Sequence, residues 1–450
     1  MKKRTYLHRS GVLLICIIML FPFSCQKDTP IPDPPVVENA SSVVVHQWFS
    51  LALELIKTTP GMTPPVAARA LGYMGITSYE AIVKGFFGYI SLAGQLTDLA
   101  PSDLPQISDN LSYSWPQVAN AALAVVVENL FFNASTVDKF RINELRARLH
   151  DDYLTQSDFQ ESDRSMELGR AIGTAILKWA AEDPIGHQGQ IKNFPSNYVL
   201  PSGPEKWVPT GSQLIPLQPY WGNARTFVPN CAALTQPQKH LDFDVAPGSA
   251  FYQQAKEVYD ISRALDAEQK IIAEYWADGG GTVTPPGHST SIAIQLIQKE
   301  ELDLINAALL MARIGIAVND AFVSCWRCKY TFNLMRPQTY IQKFIAPEWK
   351  PLIATPPFPE YTSGHSTQSG ATATVFSQTF GANYAFTDYT HQNRTDINGK
   401  PRSFTSFDAV AREAAISRLY GGIHYTMGNE QGLAQGRAIG KEVMALRFKL

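Results

Sequence analysis

Residues 292–330, "IAIQLIQKEELDLINAALLMARIGIAVNDAFVSCWRCKY", decide the fold class. Their apolar residues form one long series at helical spacing. Similar patterns occupy residues 41–59 ("SSVVVHQWFSLALELIKTT") and 407–425 ("FDAVAREAAISRLYGGIHY"). Alternation of apolar and polar residues, which is typical of strands, is scarce. The sequence therefore predicts an all-α protein.

The helical patterns fall into two groups. We predict an N-terminal helical bundle over residues 41–183 and a C-terminal helical bundle over residues 248–450. Residues 184–247 are rich in Pro, Gly, Asn and Trp and are predicted to form a long loop connection. The polar clusters described below lie in the second group, so the active site is expected there, in the second of two tandem helical bundles.

The bulk composition describes an ordinary globular chain. Among 450 residues, 45% are hydrophobic and 17% are charged, and 38 Lys and Arg face 40 Asp and Glu for a formal net charge of −2. Neither a basic face for nucleic acid nor an acidic tail is evident at this level. An anion site would therefore have to be local.

The N-terminus is built like an export signal. A basic start and a short apolar run precede Cys25, so residues 1–25 are predicted to be a signal peptide, with Cys25 as a lipid-modified residue. Pro22 matches a lipoprotein signal poorly, so ordinary signal cleavage stays open, as does a buried N-terminal helix. Residues 26–40 would be a Pro-rich tether. We expect an exported bacterial protein, periplasmic or an outer-membrane lipoprotein, that meets the membrane only through this anchor.

The remaining cysteines do not form a disulfide framework or a metal site. Only Cys231, Cys325 and Cys328 follow the leader, an odd number with too few metal ligands nearby. The "CWRC" spacing of the last two occurs in redox motifs, but no thioredoxin-like strand and helix surrounds it. A local disulfide or two packed thiols is the simpler interpretation.

The first of three polar clusters is "KYTFNLMRP", residues 329–337. Lys329 and Arg336 are seven residues apart and so would share one face of a helix, two turns apart. Pro337 disfavours helical geometry at Arg336, which places that side chain near a helix end, where it can reach into a pocket. The alternative is two solvated cations on an outer face.

The second cluster is "TSGH", residues 362–365, ahead of a helix-compatible run. Backbone amides near a helix N-terminus bind anions. Ser363 adds a hydroxyl, Gly364 permits close approach of the backbone, and His365 can carry a proton near neutral pH. The alternative is a turn with a serine cap.

The third cluster is "SRLYGGIHYTMGNE", residues 417–430. Arg418 and His424 are six residues apart, and two glycines between them would let the chain bend. The alternative is a surface arginine and a core histidine. Combined, the three clusters supply three cations, neutral donors and two histidines, which is a receptor for a tetrahedral oxyanion such as phosphate or vanadate.

The three clusters together resemble the signature shared by vanadium-dependent haloperoxidases and type-2 phosphatidic acid phosphatases. The resemblance is dense over about residues 270–445, where "AEYWADGGGTVTPPGH" with His288 also resembles bacterial haloperoxidase-like members. It implies vanadate as the cofactor, with phosphate able to occupy the same site. The residues implied to bind this oxyanion are Lys329, Arg336, Ser363, Gly364 and Arg418.

The resemblance also implies roles in catalysis. For a haloperoxidase, His424 would be the single protein ligand of vanadate, His365 would assist hydrogen peroxide, and Lys329 would polarise the peroxide, so that a halide is oxidised to hypohalous acid. Trp326 and Phe358 match aromatic positions on the halide side, with core packing as the alternative. The two-bundle layout and the length favour this branch of the superfamily.

Two other functions stay open. For an acid phosphatase, His424 would attack phosphorus to form a phosphohistidine and His365 would protonate the leaving alcohol. The remaining possibility is a non-catalytic oxyanion-binding protein. It arises because the position four after His424, usually Asp in this pattern, is Gly428. The ring of His424 then needs another orienting group, from Glu430 or from elsewhere. Thr362 in place of the usual proline is a milder departure.

Overall fold

Helices dominate the chain, as the apolar periodicity predicts. The computed structural model describes Met1 and residues 40–108 and 110–450. The predicted signal peptide after Met1, with Cys25, and all but the last residue of the tether lie outside the described residues and stay predictions. The described part contains fourteen α-helices: α1 Val43–Thr58, α2 Pro64–Glu80, α3 Trp115–Leu130, α4 Thr136–Leu154, α5 Phe159–Ala181, α6 Cys231–Leu234, α7 Ala250–Arg263, α8 Ala267–Tyr275, α9 Thr284–Lys299, α10 Leu304–Phe332, α11 Pro337–Phe344, α12 Gly364–Phe380, α13 Phe407–Tyr420 and α14 Thr426–Ala445. The all-α prediction is confirmed.

Helix α10 lies at the centre of the core. Asp303 caps its N-terminus by accepting a hydrogen bond from the backbone of Asn306, and 29 residues follow. By length and composition α10 is apolar enough to cross a membrane, but 94% of its most apolar stretch is buried inside this chain. Helix α2 packs closely along it: a Cβ atom on Gly75 would lie 2.4 Å from the carbonyl oxygen of Met311.

The helices before and after the long connection share one core. Buried residues of α1 to α5, of α9 and α10, and of α12 to α14 belong to the same apolar cluster, and the described residues from Ala40 onward pack as one compact unit. A buried carboxylate of α10 fixes the connection, because Asp320 accepts hydrogen bonds from the backbone N–H groups of Phe227 (2.7 Å) and Val228 (2.9 Å). The boundaries of the two predicted bundles are not marked by separate cores and stay predictions.

The connecting residues have little regular structure of their own. Apart from α6, they contain the 3₁₀ turns Gly189–Ile191 and Trp221–Asn223, and two further 3₁₀ turns, Val83–Gly85 and Pro101–Asp103, lie earlier in the chain. A short antiparallel hairpin follows α12, with β1 Phe386–Asp388 paired to β2 Arg402–Phe404 and Thr387 opposite Ser403. This hairpin was not predicted, because three-residue strands are too short to show periodicity. It places Asp388 in the interior.

Chain reversals bring the three polar clusters together. Helix α10 ends at Phe332, and the next residue, Asn333, adopts a left-handed conformation (φ 50°). The prediction that Lys329 and Arg336 share one helix is therefore wrong. Arg336 instead directly precedes α11. Helix α12 begins at Gly364, as the anion-cradle hypothesis requires. Helix α13 ends before Gly422, whose φ of +77° suits glycine and turns the chain toward His424.

Cys231, Cys325 and Cys328 are buried free thiols in the described part of the chain. Cys325 and Cys328 of "CWRC" are therefore packed thiols and do not form a local disulfide.

Candidate active site

A cavity of about 550 Å³ is lined in part by the predicted site residues. Gly364, His365, Arg418 and His424 are among its lining residues, and so are Trp326 and Phe358, whose ring centroids lie 5.0 Å apart. Lys329, Arg336 and Ser363 are fully buried next to these groups. The structure therefore gathers all nine predicted site residues in one region, and no cation of this set lies on an outer face.

Two guanidinium groups approach the histidines. Arg336 Nη1 lies 3.0 Å from Nε2 of His424, and Arg418 Nη1 lies 3.0 Å from Nε2 of His365. Arg336 also donates to the carbonyl oxygens of Phe358 and Ile423, through Nε (2.9 Å) and Nη1 (2.8 Å). Burial lowers the pKa of each guanidinium to about 10, so both stay charged at neutral pH.

Each of these arginines keeps one donor atom without an acceptor. Within residues 40–108 and 110–450, Nη2 of Arg336 and Nε of Arg418 are buried and have no hydrogen-bond partner. A buried charged donor left unpaired is costly. These two atoms are therefore donors that a bound anion would satisfy.

Lys329 is held by the backbone ahead of α12. Its ammonium group donates to the carbonyl oxygens of Pro359 (3.0 Å), Glu360 (2.8 Å) and Thr362 (2.5 Å). These three bonds use all three hydrogens. Burial lowers its pKa to about 8, and the ammonium lies 5.2 Å from the ring centre of Phe358. In this arrangement Lys329 acts on a bound anion through its charge.

The start of α12 combines both interpretations of "TSGH". The hydroxyl of Ser363 accepts a hydrogen bond from the backbone of Ser366 (3.4 Å), so Ser363 is the helix cap. Gly364 and His365 follow in the first turn and line the cavity. The capped turn is thus also the helix N-terminus that an anion cradle requires, with the positive end of the α12 dipole at the cavity.

The side chain that orients His424 is Glu360, which was not among the residues predicted from the sequence. Its Oε1 atom accepts a hydrogen bond from Nδ1 of His424 (2.7 Å) and from the backbone N–H of Tyr425 (3.2 Å). Burial, with Arg336 and Lys329 nearby, lowers the pKa of His424 well below its usual value, so the ring is neutral. With its proton on Nδ1, the ring presents the lone pair of Nε2 to the site.

Gly428 makes room for this carboxylate. A Cβ atom at position 428 would lie 2.2 Å from Oε1 of Glu360. Gly428 has no left-handed φ, so the glycine is required here for space and not for conformation. Glu430, the other candidate, is exposed. The carboxylate expected four residues after His424 thus comes from a residue 64 positions before that histidine.

The pKa of Glu360 predicts how oxyanion binding responds to pH. Burial raises this pKa to about 7, against the opposing charges of Lys329 and Arg336. Below pH 7, protonated Glu360 can donate to Nδ1 of His424 and move the ring hydrogen to Nε2, where it faces Arg336. The vanadate affinity of the wild type should therefore fall below pH 7, by up to about tenfold per pH unit.

A Glu360→Gln variant provides the comparison. Its amide oxygen can still accept from Nδ1 but does not titrate, so we expect an affinity loss of about tenfold at pH 8 and a smaller difference at pH 6. Titration calorimetry with vanadate at matched pH values measures the ratio of the two proteins and cancels the ionisation of vanadate itself. A ratio independent of pH would show that Glu360 does not control the ring.

His365 is also neutral. Burial first, and then the charge of Arg418, lower the pKa of this imidazole well below its usual value. A neutral ring can accept a proton, and negative charge bound between the guanidinium groups would raise its affinity for one. His365 therefore has the protonation state that a proton carrier beside an oxyanion needs.

A buried cluster behind the site holds Arg418 in place. His288 donates from Nδ1 to Asp278 (2.9 Å) and from Nε2 to Asp388 (2.7 Å), and its ring stacks on Trp276 at 4.5 Å. Burial alone would lower the pKa of His288, but the two carboxylates raise it to about 10. The carbonyl oxygen of Trp276 in turn accepts from Arg418 Nη1 (3.0 Å).

The residues present fit a tetrahedral oxyanion such as vanadate. The two unpartnered guanidinium atoms, the first turn of α12 and the buried ammonium provide positive charge and donors from different directions. The lone pair of His424 Nε2, which lies 3.0 Å from Nη1 of Arg336, is the kind of donor that a metal-centred oxyanion accepts from imidazole. A phosphate ester would find the same set of charges.

Comparison with known proteins agrees with this geometry. Residues 309–449 match the family model described as the VCPO second helical-bundle domain. A segment of 123 residues is 33% identical to vanadium chloroperoxidase of Curvularia inaequalis. This alignment covers 22% of this chain and 20% of that protein. The match thus spans about a fifth of the length of that curated relative.

Solved structures extend the similarity to the whole chain. The crystal structure of the first bacterial vanadium-dependent iodoperoxidase is 32% identical, covers 92% of this chain and 98% of that one, and superposes with a TM-score of 0.81. A holo-type bacterial vanadium-dependent chloroperoxidase shares the fold at 16% identity, with a TM-score of 0.66 over 85% of this chain and 92% of that one. The chain belongs to the vanadium haloperoxidase family.

Proposed function

We propose that this protein is a vanadium-dependent haloperoxidase that oxidises a halide with hydrogen peroxide to hypohalous acid. The observation that carries the proposal is the pair of buried guanidinium groups with unpartnered atoms beside the neutral, Glu360-oriented ring of His424. The balanced reaction is X⁻ + H₂O₂ + H⁺ → HOX + H₂O. The family membership supports this choice over a phosphatase.

The cofactor would be held by residues already described. His424 would donate its Nε2 lone pair to vanadate, while Arg336, Arg418, the amides at Gly364, the hydroxyl of Ser363 and the charge of Lys329 would neutralise its oxygen atoms. Bound vanadate would supply a Lewis acid that activates peroxide without changing its own oxidation state.

The chain's own contribution is to move protons and to shape the wall of the site. We propose that the neutral ring of His365 takes a proton from hydrogen peroxide and returns it to the leaving oxygen as water. The rings of Trp326 and Phe358, with centroids 5.0 Å apart, form the apolar wall along which the halide would approach. An apolar wall strips water from a halide and makes it a better nucleophile.

One paired assay tests the proposal. Protein reconstituted with vanadate is given peroxide with iodide, bromide or chloride, and the oxidised halogen is followed by triiodide absorbance or by halogenation of a dye. In parallel, para-nitrophenyl phosphate is offered without vanadate. We expect vanadate-dependent oxidation of at least iodide and no phosphate turnover. Ester hydrolysis that vanadate inhibits, with no halide oxidation, would identify a phosphatase instead.

A further inference from the structure

Three buried side chains behind the oxyanion site offer ligand atoms for one metal ion. Asp278 follows α8, His288 lies near the start of α9 and His391 follows β1, so distant segments of the chain supply them. Each side chain is at most 2% exposed, and one nitrogen or oxygen atom of each lies within 4.8 Å of the other two. Packing has thus collected two imidazoles and a carboxylate at one point in the interior.

The spacing of these atoms is close to that of ligands around a small cation. Oδ2 of Asp278 lies 2.9 Å from Nδ1 of His288, and Oδ1 lies 3.0 Å from Nε2 of His391. Two ligands at about 2.1 Å from a tetrahedral Zn²⁺ ion are about 3.4 Å apart, so side-chain movements of about 1 Å would seat all three on one ion. Two histidines and one carboxylate are also a ligand set that zinc sites use.

The opposite side of the His288 ring has the partner that a metal-bound imidazole needs. Nε2 of His288 donates to Oδ2 of Asp388 at 2.7 Å. The same carboxylate accepts from the hydroxyl groups of Tyr275 (2.7 Å) and Thr390 (2.6 Å), which hold it in place. A carboxylate that accepts from one ring nitrogen fixes the tautomer and the orientation of the ring and leaves the other nitrogen for the metal. His288 would therefore bind through Nδ1.

The charges of the cluster also favour a divalent cation. Asp278 and Asp388 are both buried, and within residues 40–108 and 110–450 neither forms an ion pair with a lysine or an arginine. Two buried carboxylates need two positive charges nearby. A protonated His288 supplies one of them, whereas Zn²⁺ would supply both and leave the imidazoles neutral, as metal ligation requires.

A second cavity gives an ion a route to the cluster. His391 lines a cavity of about 400 Å³ together with polar side chains that include Thr282 and Asn393. The cationic residues of this cavity, Lys57 and Arg394, are each paired with a carboxylate, which weakens their repulsion of an entering cation. A hydrated ion would cross polar space to reach His391, and a water molecule from the cavity would complete its coordination.

We propose that Asp278, His288 and His391 form a structural zinc site, with water as the fourth ligand. Two imidazoles favour Zn²⁺ over Ca²⁺ or Mg²⁺, which prefer oxygen ligands. On binding, the bond from zinc to Nδ1 of His288 forms, the N–H bond there breaks, and one proton leaves to solvent. The ion would tie three segments together around Trp276, whose ring stacks on His288 at 4.5 Å and whose carbonyl oxygen accepts from Arg418.

The metal content of the wild type is the first test. The full chain is purified without a chelator, dialysed against metal-free buffer and assayed by inductively coupled plasma mass spectrometry, and about one zinc ion per chain is expected. After zinc is removed with dipicolinate, titration with Co²⁺ should give the visible absorption of a four-coordinate ion, saturating at about one equivalent. Neither vanadate nor peroxide is present, so the result does not depend on the proposed function. A chain with no zinc and no such absorption would overturn the proposal.

Two substitutions test whether the metal lies at this cluster. His391→Phe keeps an aromatic ring beside Tyr275, where the centroids are 4.9 Å apart, but it has no ligand atom. We expect it to weaken zinc binding by more than the roughly 100-fold that loss of a carboxylate behind a ligand can cost. Asp388→Asn keeps an acceptor for Nε2 of His288 but removes the charge, so a loss of about tenfold is expected.

His240→Phe is the matched control. The ring of His240 also packs edge-on against aromatic rings, those of Phe332 (5.5 Å) and Tyr361 (5.6 Å), and it is no part of the cluster. This variant should keep wild-type zinc affinity. Wild-type zinc affinity in His391→Phe would place the metal elsewhere and overturn the proposal.

Thermal unfolding with and without zinc completes the test. Zn²⁺ that binds the folded chain raises the unfolding midpoint, so the midpoint of the wild type and of His240→Phe should rise on adding zinc, while that of His391→Phe stays unchanged. If His391→Phe does not fold, Asp388→Asn and the wild-type zinc content still decide the outcome. A midpoint of the wild type that does not respond to zinc would contradict a structural site.

Discussion

A His424→Ala variant is expected to lose vanadate binding and to lower kcat for halide oxidation at least about 10³-fold. The physical reason is that Nε2 of His424, beside the guanidinium of Arg336, is the imidazole atom that can bond to the oxyanion, because Nδ1 donates to Glu360. Alanine removes that donor and also leaves the carboxylate of Glu360 buried without its imidazole partner. The cations alone would then hold the oxyanion by charge.

Calorimetric titrations with vanadate and with phosphate separate these contributions. We expect vanadate affinity to fall much further than phosphate affinity, because phosphate needs the cations but no bond from nitrogen. The control is His46→Ala, a half-buried histidine of α1 that does not line the cavity and should keep wild-type affinity. Equal losses for both anions would mean that His424 only shapes the site, and a thermal unfolding curve checks that the variant is folded.

Local geometry predicted parts of the second and third clusters, whereas the shared helix face predicted for Lys329 and Arg336 was wrong, because α10 ends between them. Ser363 caps α12 and puts Gly364 and His365 in its first turn, while the left-handed turn at Gly422 carries the chain from Arg418 to His424. The apolar period of residues 292–330 likewise predicts the buried helix α10. These features depend on neighbours within a few residues, which periodicity and turn chemistry report.

The groups that orient the site could not be predicted, because their partners are distant in sequence. Glu360 stands directly before the second cluster, yet only the packing of α12 against α14 brings its carboxylate to His424. Asp388 reaches His288 across 100 residues through an unpredicted hairpin. The glycine at position 428 did indicate that a carboxylate was missing there. It could not indicate which residue elsewhere in the chain supplies that carboxylate.

A Gly428→Asp variant tests whether Glu360 takes the place of the carboxylate that is usual at position 428 in the resembling pattern. The change restores the residue usual in the resembling pattern, yet we expect it to lower the free energy of unfolding by about 3 kcal/mol and to abolish vanadate binding. The new Cβ would lie 2.2 Å from Oε1 of Glu360, and a second buried carboxylate would repel the first. Differential scanning calorimetry and vanadate titration measure the two effects.

The double variant Glu360→Gly with Gly428→Asp decides between exchange and simple crowding. If the two positions supply one carboxylate to Nδ1 of His424, the double variant should recover most of the stability and vanadate affinity that each single variant loses. A double-mutant cycle would then give a coupling of about 2 kcal/mol or more. Glu360→Gly alone should bind vanadate poorly while staying folded, because it opens space without adding charge. Additive losses would instead mean that a carboxylate introduced at position 428 cannot reach the ring, and that α14 is built around Glu360 alone.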